Sequence, residues 1–131
     1  MFVTTVHIMI DNKLEEAEFL VERYPSKIHM TLPDGWKKSF EGADLYDCLG
    51  QILLARPNIN FLCKGARRDV RPSSMSSQMS SGLVAYQHRL GVRASRNDIV
   101  RIFDYDDTDI VNAPKVQEDF FYRWLSSLKS T

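Results

Sequence analysis

Hydrophobic and polar positions alternate over the first forty residues in runs that are typical of β-strands. Phe2 to Ile10 is rich in β-branched residues and predicts a strand. Two further runs, Glu18 to Tyr24 and Lys27 to Leu32, flank a turn signal that contains proline. Pro33-Asp34-Gly35 marks a second turn before a fourth run, Trp36 to Phe40. The pattern predicts an antiparallel hairpin or meander in this third of the chain.

The hydrophobic period lengthens to that of a helix after Asp44, which is a favourable N-cap residue. Apolar side chains then recur at helical spacing until Pro57, where a helix must stop. They are Leu45, Cys48, Leu49, Ile52 and Leu53. This spacing predicts a helix with one apolar face, and that face is expected to lie on a sheet.

A second helix is predicted over Ser74 to Leu90, after a short apolar strand at Ile59 to Cys63. Pro72-Ser73 supplies its start and Gly91 its C-cap. Its apolar residues form one stripe: Met75, Met79, Leu83, Tyr86 and Leu90. A core stripe is the more common use of such residues, although a methionine pair can also serve as a pliable binding surface.

The last quarter of the chain predicts one more strand and one more helix. The strand falls within Asp98 to Tyr105, and an acidic segment then leads through Pro114 into the helix. The helix is expected to bury Val116, Phe120, Phe121, Trp124, Leu125 and Leu128. The order of elements predicts an α+β fold with about three helices packed on a mainly antiparallel sheet. Residues 1–131 are expected to form a single globular domain.

Composition adds a constraint on partners. The chain has 131 residues, of which 44% are hydrophobic, enough to enclose one core. Lysine plus arginine and aspartate plus glutamate both number 17, so the whole molecule has no long-range field that would attract nucleic acid. The charge is nevertheless segregated, because residues 64–101 hold 8 basic and 2 acidic side chains between two acidic flanks. Such segregation favours an oriented partner, or a fold in which the flanks neutralise the middle.

The two cysteines and the N-terminus suggest a cellular compartment. Cys48 and Cys63 lie in apolar surroundings without a metal-binding spacing, which favours two reduced core thiols. The alternative is one disulfide between them. The first ten residues lack the basic start and cleavage site of a signal peptide. No apolar run approaches the roughly 20 residues of a membrane span. We therefore expect a cytoplasmic protein with no membrane partner.

No residue pattern indicates an enzyme, a metal or a cofactor. The histidines, His7, His29 and His88, occur outside any recognised catalytic or metal-binding spacing. The acidic residues Asp104, Asp106, Asp107 and Asp109 are spaced like cation ligands. Because the glycine and the closing glutamate of an EF-hand are missing, a solvated acidic loop is favoured over a calcium site. The chain is thus expected to have no catalytic residue and no cofactor.

The basic segment that follows the predicted strand at Ile59 to Cys63 resembles a phosphate loop only in outline. A glycine and a helix start follow the strand, but the further glycines and the lysine of such loops are missing. An anion site remains a hypothesis, in which helix N-terminal amides act with Arg67, Arg68 and Arg71. The favoured alternative is that these arginines pair with the acidic flanks or are solvated. Direct nucleic-acid binding is not expected, since no aromatic residue occurs between Phe61 and Tyr86.

Three stretches resemble a known family: LCKGARRDVRPSSMSSQMSSGLVAYQHRLG, DIVRIFDYDD and the terminal FFYRWLSSL. Together they span roughly residues 58–128 and look like the immunity proteins of contact-dependent growth inhibition and other polymorphic toxin systems. In that pattern the stretch after Pro72 often includes a glycine where this chain has Ser74. The start of the chain matches less well.

The resemblance implies a bacterial, non-enzymatic protein that binds and neutralises the toxin domain of its own system by stoichiometric protein-protein interaction. Many such toxins are nucleases, and an inhibitor that covers a phosphate-binding cleft would use acidic side chains in place of phosphates. On that basis the partner-binding candidates are Asp104, Asp106, Asp107 and Asp109. If the arginines Arg67, Arg68 and Arg71 contact the toxin instead, its surface would be acidic.

Overall fold

A computed structural model describes residues 1 to 129 of the chain. It confirms the α+β fold, with three α-helices and two antiparallel sheets. The strands are β1 (Phe2–Ile10), β2 (Lys13–Glu22), β3 (Lys27–Thr31), β4 (Lys37–Glu41), β5 (Asn60–Phe61), β6 (Val70–Arg71), β7 (Val84–Gln87) and β8 (Ile99–Arg101). The helices are α1 (Leu45–Ala55), α2 (Ser74–Ser80) and α3 (Pro114–Ser127).

The larger sheet has the strand order β4-β3-β2-β1-β5. The long β1–β2 hairpin turns at Asp11 and Asn12, which both have positive φ, as a two-residue turn of this kind requires. The second strand therefore begins at Lys13, five residues earlier than the sequence pattern predicts. The outer strand β4 exposes Lys37 and Lys38 and pairs only with β3 within this sheet.

Helix α1 covers the inner face of the larger sheet as predicted. The Asp44 carboxylate accepts a hydrogen bond from the Asp47 backbone N–H at 2.7 Å and caps the first turn. All five apolar residues of the predicted stripe are buried. Cys48 and Cys63 are both buried free thiols. Burial raises the pKa of Cys48 to about 11 and that of Cys63 to about 12, so both remain protonated at neutral pH.

The smaller sheet has the order β6-β7-β8 and corrects the prediction of a helix over Ser74 to Leu90. The helix ends at Ser80, because Ser81 and Gly82 both adopt left-handed backbone conformations, with φ of 57° and 75°. The chain then enters β7, where Ala85 is buried between the half-buried Val84 and Tyr86. Gly91, with a φ of 77°, lies within the tight turn between Arg89 and Val92 instead of capping a helix.

Helix α3 begins at Pro114 as predicted, but its apolar side is less buried than expected. Only Gln117 and Trp124 are buried, and Val116 and Leu125 are exposed. The Gln117 side-chain amide donates hydrogen bonds to the backbone oxygens of Gly65 and Arg67, at 2.8 and 2.9 Å. These bonds hold α3 against the backbone that follows β5. Among the described residues, none of the helices has the length and apolar character needed to cross a membrane.

Candidate functional site

The acidic loop and the arginine segment, which the sequence offers as separate candidates, lie side by side. Backbone hydrogen bonds join Lys64 to Asp104 and Arg68 to Asp109, at 2.9 and 3.0 Å. A further bond runs from Val111 to Ala66 at 2.9 Å. Because the two segments run along each other, their charged side chains meet across about forty residues of sequence.

Arg67 is the centre of an internal ion-pair network. Its guanidinium donates two hydrogen bonds of 2.9 Å to the two carboxylate oxygens of Asp69 and a third, of 3.0 Å, to Asp106. Lys64 also donates to Asp106 at 3.0 Å. Arg67 is only 8% exposed. The Asp69 carboxylate, more than any other group, raises the pKa of Arg67, which therefore stays charged.

The pKa of Asp106 results from opposing effects. Burial raises it, but this is outweighed by hydrogen bonds from the Thr108 backbone and the Lys64 ammonium, and by the charge and hydrogen bond of Arg67. The net result is a pKa lowered to about 2. Arg67 and Asp106 thus neutralise each other's charge, so we assign their contacts to stabilising the fold.

The remaining candidates differ in how exposed their charges are. Arg68 forms an exposed pair with Asp109, with its Nε 3.3 Å from a carboxylate oxygen, and such surface pairs contribute little to stability. Asp104 and Asp107 are exposed and form no ion pair within residues 1–129, although Tyr105 donates to Asp107 at 3.3 Å. Arg67 and Arg68 therefore pair with acidic residues of the flanking segment, which is the arrangement that the sequence favours over an anion site.

Arg71 differs from its two neighbours. Its guanidinium carbon lies 4.6 Å from the centre of the Phe121 ring, and no carboxylate within residues 1–129 forms an ion pair with it. It lines an open cleft of about 750 Å³ between α1, α2 and the start of α3. The sequence shows no aromatic residue beside the arginines, but the fold brings α3 against them, since Phe120 also lies 5.6 Å from Arg68.

A second concave surface lies on the outer face of the smaller sheet. One cavity of about 580 Å³ is lined by Tyr86, Ile99, Phe121, Trp124 and Arg96, among others. A second, of about 250 Å³, is lined by Met75, Met79, Val84 and Tyr86. We call the combined surface the outer groove. Its defining residues are Met75, Met79, Val84, Tyr86, Arg96, Ile99, Phe121 and Trp124, which line the two cavities, together with Arg71 and Arg101, which pair with Tyr86 and Val84 on the same face of the smaller sheet.

The methionines of the outer groove correct the expectation of a core stripe. Met75 is 69% exposed and Met79 is 73% exposed, because the helix that carries them packs only its serine side onto the molecule. Ser77 donates a hydrogen bond to the Asp44 carboxylate at 2.6 Å on that inner side. The hydrophobic pattern does not identify Val84, Tyr86 and Ile99 as surface residues, and Ile99 lies on a different strand from the other two. For Val84 and Tyr86, the alternation with Ala85 along one strand was the available signal.

Two histidines have defined environments. His88 is buried, with its ring centre 4.1 Å from that of Trp124, and burial lowers its pKa. His29 bridges neighbouring strands, with Nδ1 2.6 Å from the Ser39 hydroxyl and Nε2 2.5 Å from Glu22. The side chains of His29, Ser39 and Glu22 share the solvent-facing side of the larger sheet, away from the outer groove. Within the described residues no group of three or more His, Cys, Asp or Glu side chains is arranged to hold a metal ion.

Comparison with known proteins leaves the family open. Neither the known protein-family profiles nor the curated protein sequences include a match to this chain.

Proposed function

We propose that this chain is an immunity protein, which binds and neutralises the toxin domain of its own system by forming a stoichiometric complex in the cytoplasm. The observation that carries the proposal is the outer groove. Met75 and Met79 are mostly exposed beside Tyr86 and Phe121, and contiguous apolar surface of this kind is characteristic of protein interfaces. In this proposal the protein acts by binding alone and performs no chemistry.

Both sets of charged candidates have a place in the proposal. Asp104 and Asp107 are the members of the acidic loop with exposed carboxylates outside any ion pair of the described chain, so they could stand in for phosphates if the toxin is a nuclease. Asp106 and Arg67 support the loop from within. Arg68 and Asp109 are exposed and could exchange their mutual pair for contacts with the toxin.

Co-expression with the toxin domain encoded immediately upstream of this gene tests the proposal. We expect the two proteins to co-elute as an equimolar complex and the cells to survive expression of the toxin. A toxin domain of the same activity from a different system serves as the control and should still kill. If the upstream toxin domain gives neither a complex nor protection, the proposal is wrong.

A second candidate is an anion or nucleic-acid binding module, and Arg71 favours it. Of the three arginines in the basic segment, Arg71 alone has no carboxylate partner among the described residues, and it lies beside the ring of Phe121. Binding of a fluorescent single-stranded oligonucleotide should then weaken steeply with salt and on Arg71→Glu substitution. The absence of measurable binding at low salt would eliminate this candidate.

A further inference from the structure

The strand register places the floor of the outer groove on one face of the smaller sheet. Arg71 pairs with Tyr86, Tyr86 with Ile99, and Val84 with Arg101. Directly paired residues point to the same side of a sheet, so these five side chains share a face, with Val84, Tyr86 and Ile99 on the floor of the groove and Arg71 and Arg101 at its rim. The opposite face carries Val70 and Ala85, which are fully buried in the core. The face with Tyr86 at its centre is therefore the outward one.

Two helices form the walls of the groove. Met75 and Met79 of α2 line one end, and Phe121 and Trp124 of α3 line the other. Tyr86 contributes to both cavities and connects them. The result is an apolar surface that extends from α2 to α3.

The rim of the groove has an unneutralised positive charge. Arg71, Arg96 and Arg101 form no ion pair with any carboxylate of residues 1–129. Asp98 is the only carboxylate between residues 89 and 103. It accepts hydrogen bonds from Ser95 and lies 3.5 Å from Arg89, so it leaves the rim arginines without a partner.

We infer that the outer groove binds an acidic segment of the toxin, with apolar side chains inserted beside Tyr86 and carboxylates paired with the rim arginines. The inference rests on the proposed function and specifies the chemistry of the partner surface. Charge complementarity selects a segment rich in Asp and Glu, because guanidinium groups bind carboxylates in a two-bonded geometry. An apolar centre with a charged rim is the usual arrangement of a protein interface.

The walls of the groove favour a protein segment over a nucleic acid. Single-stranded nucleic acids bind by stacking bases on exposed aromatic faces. Trp124 is only 8% exposed and His88 is buried against it, so these rings contribute mainly to the wall. The most exposed apolar residues of the groove are the methionines, which accommodate apolar side chains of varied shape. The neutral net charge of the chain also provides no long-range attraction for phosphates.

Charge reversal at the rim tests the inference against a matched control. Binding of the upstream-encoded toxin domain is measured by calorimetry for the full chain, for R96E/R101E and for K13E/K37E. Both double variants change the net charge by the same amount, but Lys13 and Lys37 are exposed on the larger sheet. We expect R96E/R101E to weaken binding by at least about tenfold and K13E/K37E to change it by less than about threefold.

The apolar part of the groove is tested in the same way. Met79→Glu places a charge in the groove, and Leu14→Glu places one at an exposed apolar position of the larger sheet, which is 58% exposed. Both sites are on the surface, so both variants should fold, as checked by circular dichroism. We expect Met79→Glu to weaken toxin binding by at least about tenfold and Leu14→Glu to leave it unchanged.

The outcomes separate this inference from the proposed function. If the unmodified chain binds the toxin domain and the groove variants bind equally well, the groove inference is wrong and the immunity function stands. If the unmodified chain does not bind, both are wrong. If R96E/R101E instead abolishes salt-sensitive binding of a single-stranded oligonucleotide while toxin binding persists, the groove is a nucleic-acid site and the inference is overturned.

Discussion

The guanidinium of Arg67 is held between two carboxylates, and this arrangement determines what all three groups can do. Its bonds to Asp69 and Asp106 are short, and the side chain is nearly inaccessible to water. Removing one member of such a network leaves a poorly solvated charge without its partner, which is why these residues fit the scaffold better than a surface that must exchange partners.

The lowered pKa of Asp106 predicts a specific acid sensitivity. Its folded-state pKa of about 2 lies below the value of 3.8 for an unperturbed carboxyl, so the folded state favours the ionised form. The resulting stability is fully present from about pH 5 upward and is lost as the pH falls through the folded-state pKa. We expect the free energy of unfolding to fall about 2 kcal/mol more in the unmodified protein than in Asp106→Asn between pH 5 and pH 2.

Urea denaturation at several pH values measures this difference. The other carboxyl groups titrate in both proteins, so only the difference between the two curves reports on Asp106. Parallel stability curves for the two proteins would show that the network does not hold Asp106 in its ionised form.

Among the elements, the end of α2 determines both the fold and the position of the outer groove. Two consecutive left-handed residues, Ser81 and Gly82, end the helix and direct the chain into β7. Gly82 lies so close to α1 that an added Cβ would stand 2.8 Å from the Asp44 carboxylate carbon. The glycine is therefore required both for its backbone conformation and for the space it leaves.

Gly82→Ala should destabilise the protein by more than about 2 kcal/mol, because left-handed backbone strain adds to the contact with Asp44. Ser81→Ala is the matched control. That position already accommodates a Cβ at a φ of 57°, so the loss should stay below about 1 kcal/mol. Urea denaturation midpoints compare the two variants, and equal losses would contradict the role assigned to the glycine.

The same turn explains what the sequence could and could not predict at this scale. The first four strands, α1 and the start of α3 follow from hydrophobic period, turn residues and caps, which are local signals. The stripe from Met75 to Leu90 also has a helical period, but it continues across the turn by coincidence. A helix period and a strand alternation overlap in Leu83 to Tyr86, and the left-handed conformations of Ser81 and Gly82, which the hydrophobic pattern does not show, end the helix before them.

For the whole molecule, one core joins the two sheets. The buried cluster includes Phe19 and Ile28 of the larger sheet as well as Val70 and Ala85 of the smaller one, and it also contains Ile102. Gly65 reinforces this junction, since an added Cβ would stand 2.6 Å from Leu49 and 2.8 Å from Ile102. Sheets that share a core in this way should unfold together.

The two tryptophans report on the two sheets separately and test this expectation. Trp36 packs against the core of the larger sheet, and Trp124 lies beside the smaller one. In Trp124→Phe and in Trp36→Phe, the urea midpoint from the remaining tryptophan's fluorescence should coincide with the midpoint from circular dichroism of the same variant. Separate midpoints in either variant would show two independently stable units instead of a single domain.

The residues of the candidate site are brought together by the tertiary fold more than by any local sequence pattern. Arg67 and Asp106 are 39 residues apart, and Arg71 and Phe121 are 50 apart. Sequence alone could suggest that the basic and acidic segments neutralise each other. It could not show which arginine of the basic segment would have no carboxylate partner among the described residues. The outer groove was similarly hidden, since its methionines, sheet residues and aromatic residues come from five separate elements, α2, β6, β7, β8 and α3.

The lysines of the outer strand β4 have a consequence for the protein at high concentration. An edge strand presents unpaired backbone groups that can pair with a second chain and start aggregation. Lys37 and Lys38 are exposed on this edge, so two copies that approach edge to edge bring like charges together. At high concentration this repulsion keeps the edge from pairing with a second copy, so the chain can remain dispersed.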